Sequence, residues 1–204
     1  MHARLDRFSG QRGHGVDDLD LADLSSVAGQ PGLLGGVTFR QLAGPAAVCL
    51  TLWDTEASAT RFPGPRTGLA ALPAEMYVVT DTEEGPAAAQ PPACARLLYF
   101  DGPRTPEQAA AADLAGRRRI WPAIRGLSGL VGIYVLLGHD LASVVVTLAT
   151  SLDTLDAAER AAMATGLAPG EDPALLPGPD RIEIHHVTGY HLSAAGAAAS
   201  IKGR

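Results

Sequence analysis

The sequence writes one unit twice. Ala3-Arg4-Leu5-Asp6-Arg7-Phe8-Ser9-Gly10 returns as Ala95-Arg96-Leu97-Leu98-Tyr99-Phe100-Asp101-Gly102, and Gly29-Gln30-Pro31-Gly32-Leu33-Leu34-Gly35 returns as Gly126-Leu127-Ser128-Gly129-Leu130-Val131-Gly132. Leu50-Thr51-Leu52-Trp53 is echoed, in the same order, by Val146-Thr147-Leu148-Ala149. Short words recurring in one order at nearly one offset predict a structural unit used twice. What the copies share is then what the fold demands, and where they differ is where a ligand is to be sought.

Hydrophobic and turn patterns give the unit its order. Residues 3–8 read as a strand, and 16–27 as a helix with Leu19, Leu21 and Leu24 on its apolar side. Strands over 33–42 and 46–53, a short helix over 55–61 and a closing strand over 75–80 complete βαββαβ. The second copy predicts strands over 96–100, 132–137, 142–148 and 181–187. Thr105-Pro106-Glu107-Gln108 is a capping box with proline in the first turn, starting a helix that runs to about Ile120. A second helix spans 154–165, with Asp153 as its cap and Gly166 as its stop. The domain reading is residues 1–84, a Pro/Ala-rich linker over 85–94, residues 95–190, and a flexible tail over 191–204. The fold class is α+β. Two ferredoxin-like βαββαβ units, each with one bare sheet face, are expected to close as an intramolecular dimeric α+β barrel.

Composition excludes several classes of function. Of 204 residues 47% are hydrophobic and 19% charged, and the longest apolar stretch is far too short for a bilayer helix. A net charge of −6 offers nucleic acid no basic surface, and the one basic run, Arg117-Arg118-Arg119, reads as a solvated helix end. The start lacks the apolar core of a signal peptide, and Cys49 and Cys94 show no disulfide framework, so a reducing cytoplasm is expected. Gly32-Leu33-Leu34-Gly35-Gly36 lacks the Gly-Lys-Ser/Thr of a phosphate loop, and no Cys or His spacing suits zinc. No metal and no cofactor is expected.

Pro31-Gly32-Leu33-Leu34-Gly35-Gly36 ahead of a strand, followed by Val48-Cys49-Leu50-Thr51-Leu52-Trp53-Asp54-Thr55-Glu56-Ala57, resembles the antibiotic biosynthesis monooxygenases of the dimeric α+β barrel superfamily. These are small cofactor-free oxygenases with a Pro-Gly-Phe/Leu turn before the second strand and a tryptophan closing the third. The resemblance implies a pocket between sheet and helices lined by Trp53, with Thr51 and Cys49 on the same side. It implies an arginine, Arg61 or Arg66, that steadies an enolate-like oxygen. The anthrone-oxidising members carry Asn four residues before the Trp and Tyr six residues after it, where this chain has Cys49 and Ala59. The haem-degrading relatives need a histidine on the second helix of the unit, and neither 56–72 nor 154–165 contains one.

Other candidates come from the differences between copies. Tyr99 and Tyr134 stand where the first copy has Arg7 and Thr38, which suggests one lining with Trp53, Tyr77 and Arg7, and another with Tyr99, Tyr134 and a histidine. His185 and His186, adjacent on a strand, face opposite ways, so one of them is a candidate base in the second unit. Trp121 before Pro122 reads as core packing. The functional expectation is a monooxygenase acting on an aromatic, polyketide-type molecule with dioxygen, as a pseudo-symmetric monomer or a homodimer, with neither nucleic acid nor membrane as partner. The alternatives are a degenerate barrel that binds a hydrophobic ligand or serves as an assembly module, and a polyketide cyclase or isomerase.

Overall fold

A computed structural model describes residues 1–9, 27, 29–65 and 70–192. The expected helix over 16–27, apart from Val27, the residue Arg66 and the tail from 193 onward lie outside the described residues. No described helix is long and apolar enough to cross a membrane.

The chain is α+β with antiparallel strands, and it divides into two compact units. The first comprises Met1–Thr82 with Ile184–Arg204, the second Glu83–Glu183. In the first unit β1 (His2–Ser9) is central. It pairs on one side with β3 (Ala46–Trp53), Ala3 opposite Leu52, and on the other with β5 (Glu75–Glu84), Ala3 opposite Tyr77. The short β4 (Ala70–Ala71) pairs with the end of β1. Outside β3 lies β2 (Leu33–Gln41), and outside β2 runs the last strand of the chain, β9 (Arg181–Leu192), from Gln41 opposite His185 to Gly35 opposite Leu192. The order β5–β1–β3–β2 is that of a ferredoxin-like sheet.

Alternation then sorts the side chains. Ala3, Leu5, Val37, Phe39, Leu50 and Leu52, all buried, share one face. Arg4, Asp6, Thr38, Cys49, Thr51 and Trp53 share the other, which α1 (Glu56–Arg61) covers. Thr55 caps α1 by accepting from the Ser58 amide at 3.1 Å.

In the second unit β8 (Ser143–Ala149) is flanked by β6 (Cys94–Phe100) and β7 (Leu130–Leu137), with Leu148 opposite Ala95 and Gly132. Two expectations shift here. Residues read as a linker are held against β7, because Gly85 and Ala87 donate to the carbonyls of Val131 and Leu130. A side chain at Gly85 would lie 2.1 Å from the Leu130 carbonyl, so the approach requires glycine. The closing strand expected for the second unit alone runs on to Leu192 and contributes residues from Ile184 onward to the first unit, since β2 offers an edge for it to pair with.

The long helix also differs. The capping box forms, Thr105 accepting from Gln108 and Gln108 from Thr105, and opens α2 (Pro106–Ala115). The helix does not stop at Ile120. A wider turn over Gly116–Ile120, in which the Trp121 amide reaches back to the Gly116 carbonyl, leads into α3 (Trp121–Ile124). Pro122 has no amide to donate and its ring crowds the preceding turn, and one expanded turn relieves both. Within the basic run Arg117 pairs with Asp113, while Arg119 pairs with Glu171 and donates to Thr165 at 2.9 Å. In α4 (Leu152–Met163) the cap is Ser151, which accepts from the Thr154 amide at 3.2 Å; Asp153 sits in the first turn, where its charge suits the helix dipole.

The Pro-Gly-Leu turn has a visible cause. Gly32 adopts φ +82°, its carbonyl accepts from the Asp54 amide at 2.9 Å, and an added Cβ would stand 2.3 Å from Asp54 Oδ1. Gly129 is equally confined, with Thr154 Oγ1 2.2 Å from a built Cβ. Gly32→Ala is expected to cost about 1–3 kcal/mol, read as a lower urea midpoint at unchanged slope. Gly29→Ala, with φ +88° but nothing within 4 Å, is expected to cost less, and equal costs would show that the crowding at Asp54 is immaterial.

Candidate functional site

The helix-covered face of the first unit holds an unusual density of polar groups for a buried surface. Trp53, 1% exposed, packs with Val27, Ala59 and Phe62, and its ring centroid is 5.3 Å from that of Phe62. Its indole N–H donates to Thr51 Oγ1 at 2.8 Å. Directly opposite Thr51 on β1 is Arg4, and two residues on is Asp6, opposite Cys49. Arg4 Nε donates to both Asp6 oxygens at 3.1 and 3.0 Å, and Nη2 donates to Oδ1 at 2.8 Å. Arg4 Nη1 donates to the carbonyls of Ala59, at 3.1 Å, and Phe62, so the guanidinium ties the end of α1 to the sheet. Gly64, at φ +88°, passes so close that a Cβ would meet Arg4 Nη2 at 3.2 Å.

Burial sets the chemistry of Cys49. Desolvation, reinforced by the Asp6 carboxylate and opposed by Arg4, pushes its thiol up to about 12, so it is a neutral thiol at physiological pH and no nucleophile. Burial likewise lifts Cys94, in β6, to about 11. At pH 8 a disulfide reagent is expected to label both only as fast as the chain opens; fast labelling of native protein would contradict this burial.

The second unit keeps the same registers and changes their content. Arg96 faces Thr147 as Arg4 faces Thr51, but Leu98 and Val145 stand where the first unit has Asp6 and Cys49, and Ala149 stands for Trp53. Val135 faces Val145 as Thr38 faces Cys49, so Tyr134 corresponds to Val37, and the expected match with Thr38 is one residue off. Arg96 Nη1 donates to Glu159 Oε2 on α4 at 3.1 Å. Burial lowers the affinity of Arg96 for its proton, and Glu159 offsets this only in part.

Three tyrosines among the remaining candidates fall on the opposite faces of the sheets. Tyr77 faces Ala3 rather than Arg4, so it is not on the Trp53 side. Its hydroxyl donates to Glu75, which also accepts from Arg7 at 2.8 Å. The expected lining of Trp53, Tyr77 and Arg7 is therefore corrected: register puts the last two on the other face. Tyr99 donates to Glu183 at 3.0 Å beneath the Arg181 guanidinium, 3.7 Å from its ring, and Tyr134 shares that face. His185, fully buried, belongs to the first unit, where its ring centroid is 5.8 Å from that of Phe39; His186 is exposed. Arg61 is exposed in the last turn of α1. No group of three or more His, Cys, Asp or Glu that could hold a metal occurs among the described residues.

Arg4, Asp6 and Arg96 were not among the expected site residues. The signal was present, since both arginines stand in the repeated Ala-Arg-Leu word, in the phase opposite to its apolar residues.

No protein-family model and no curated protein sequence matches the chain. Solved structures do. An anthrone oxidase-like protein superposes with TM-score 0.61 at 14% identity, covering 96% of this chain and 94% of its own. A protein named as a candidate monooxygenase from Fusobacterium nucleatum superposes with TM-score 0.65 at 9% identity, covering 94% of each. A ferredoxin-fold protein related to antibiotic biosynthesis monooxygenases, from Listeria monocytogenes, gives TM-score 0.53 at 9% identity over 92% of this chain and 95% of its own. The fold is that of the antibiotic-biosynthesis-monooxygenase-like proteins. At such identities the fold of the monooxygenase-like proteins carries the strand registers and not the site, which has to be argued from the side chains.

Proposed function

We propose that this chain is a monooxygenase-like protein that binds a flat aromatic, polyketide-type molecule between sheet and helices and oxidises it without metal or flavin. We further propose that its two units are fused copies of one ancestral unit. The observation that carries the reading is the buried Trp53–Thr51 hydrogen bond beside the Arg4–Asp6 pair, on the sheet face that α1 covers. An indole fixed by its own N–H offers a rigid aromatic wall, and polar groups in a desolvated setting act on a ligand charge more strongly than in water.

The chemistry runs through the substrate. An anthrone-like methylene gives up a proton, its carbanion passes one electron to dioxygen, and the radical pair combines as a peroxide that loses water to leave a ketone. The balance is one CH2 and one O2 giving one C=O and one H2O. The protein's part is to orient the ring and hold the anion.

A second reading, a non-catalytic ligand carrier, is favoured by the saturation of the first unit: Trp53 is packed, Arg4 is held by Asp6 and two carbonyls, and Cys49 stays protonated. Incubation with anthrone under 18O-labelled dioxygen separates them. The monooxygenase reading expects one labelled oxygen in the quinone and oxygen uptake above the uncatalysed background. Quenched tryptophan fluorescence without uptake establishes the carrier, and a changed product without label establishes a cyclase or isomerase.

A further inference from the structure

The two units treat one arginine in opposite ways. In the first, Arg4 is neutralised by Asp6 on its own strand and by two carbonyls at the end of α1. In the second, Leu98 occupies the register of Asp6, and among the described residues the carboxylate bonded to Arg96 is that of Glu159, half-exposed on α4. Arg96 is itself 6% exposed, and its Nε–H lies fully buried with no hydrogen-bond partner among the described residues. A buried guanidinium N–H without an acceptor is costly, and such a group persists where something else supplies the acceptor.

The surroundings say what that acceptor is attached to. Arg96, Thr147 and Ile133 form one row across β6, β8 and β7, with Leu98, Val145 and Val135 in the next, so the guanidinium opens onto an apolar floor. Ile133 packs in a cluster with Trp121, Ala158 and Ala162, which supplies an aromatic wall. Ala149 occupies the register that Trp53 fills in the first unit, a far smaller side chain at the same place under the helix. An apolar, partly aromatic surface with one convergent cationic donor is the composition of a small-molecule site.

We infer that Arg96 is the oxyanion-recognition residue of a ligand site between the β6–β8–β7 sheet and α4, taking a planar aromatic molecule through a carboxylate or enolate oxygen on its Nε–H. Glu159 competes with that oxygen for the same guanidinium and holds the charge when the site is empty of ligand. The inference rests on the proposed reading in one respect, that the ligand is a flat aromatic. It moves anion recognition from the saturated Arg4 to Arg96.

The test is calorimetric titration of the full chain with 2-naphthoate and with its neutral isostere 2-naphthamide. Wild type is expected to prefer the carboxylate. Arg96→Gln is expected to weaken naphthoate about tenfold or more, the usual scale for a charge-assisted hydrogen bond, while leaving naphthamide unchanged. Arg96→Lys restores part of the preference, and Arg118→Gln, an exposed control, leaves both affinities as they were. Glu159→Gln removes the competitor and is expected to tighten naphthoate several-fold. This result holds even if Arg96→Gln does not fold. Naphthoate binding indifferent to Arg96→Gln, or unchanged or weakened by Glu159→Gln, overturns the assignment to Arg96. No saturable binding by wild type overturns both this site and the aromatic-ligand reading. Naphthoate binding through Arg96 with no 18O incorporation from anthrone sinks the oxygenase alone.

Discussion

Asp6→Leu is expected to cost the chain about 3–5 kcal/mol, because it strips a buried guanidinium of its counter-ion and leaves the charge in place. Arg4 is 11% exposed and Asp6 8%, with three hydrogen bonds between them, so neither has water to fall back on. The second unit tolerates Leu98 at the matching register because Glu159 reaches its arginine from α4. In the first unit the bonds that α1 and the turn after it supply to Arg4 come from the Ala59 and Phe62 carbonyls, which accept its protons without cancelling its charge. Arg4→Leu combined with Asp6→Leu is expected to recover more than half of the loss, since removing both charges removes the desolvation penalty while two carbonyls lose their donor. Urea unfolding followed by circular dichroism reads all four members of the cycle. If the single substitution costs less than about 1 kcal/mol, the pair is solvated and the account of this face fails.

Trp53→Ala is expected to cost about 3–5 kcal/mol as well, for a different reason. The indole is 1% exposed among Val27, Ala59 and Phe62, with Leu33 and Met76 packed against the cluster, so truncation leaves a void on which several walls must collapse. It also removes the donor to Thr51 Oγ1. Trp53→Phe keeps most of the volume and loses only the hydrogen bond, so a smaller cost is expected. The chain has two tryptophans, and in Trp53→Ala the remaining emission comes from Trp121. That separates the two proposed surfaces. Naphthoate that still quenches Trp121 after Trp53 is gone binds in the second unit, whereas quenching that disappears with Trp53 places it in the first. A loss of stability below about 1 kcal/mol would show that Trp53 is not packed as described.

Most strands were legible because a half-buried strand leaves its alternation in the side chains. Ala46–Trp53 has the bounds that its apolar run suggests, and Thr105-Pro106-Glu107-Gln108 caps a helix as its chemistry requires. The longer parts of β5 and β9 were not legible. Residues such as Asp81, Thr82, Glu83 and Gly189 lie in strands although their side chains do not favour them, because side-chain propensity is a weak guide where backbone pairing decides. The site shows the same boundary. That Trp53, Thr51 and Cys49 share a face follows from position along one strand. Which residues of other strands join them depends on register, and register is a relation between segments: Tyr77 faces Ala3 rather than Arg4, and one residue of offset moves it to the far side of the sheet. Arg4 and Asp6 escaped notice because charges at alternate strand positions usually mark a solvated face, and only the pairing of the two makes their burial affordable.

β9 also bears on the order in which the chain can fold as it is made. The second unit is one continuous segment, Glu83–Glu183, complete as soon as that segment is available. The first unit begins at Met1 yet lacks the outer partner of β2 until residues from Ile184 to Leu192 arrive. β2 thus precedes the whole second unit while its outer partner follows it, and through that interval β2 presents the bare backbone edge of Gly35–Gln41, a template for the wrong strand from a neighbouring chain.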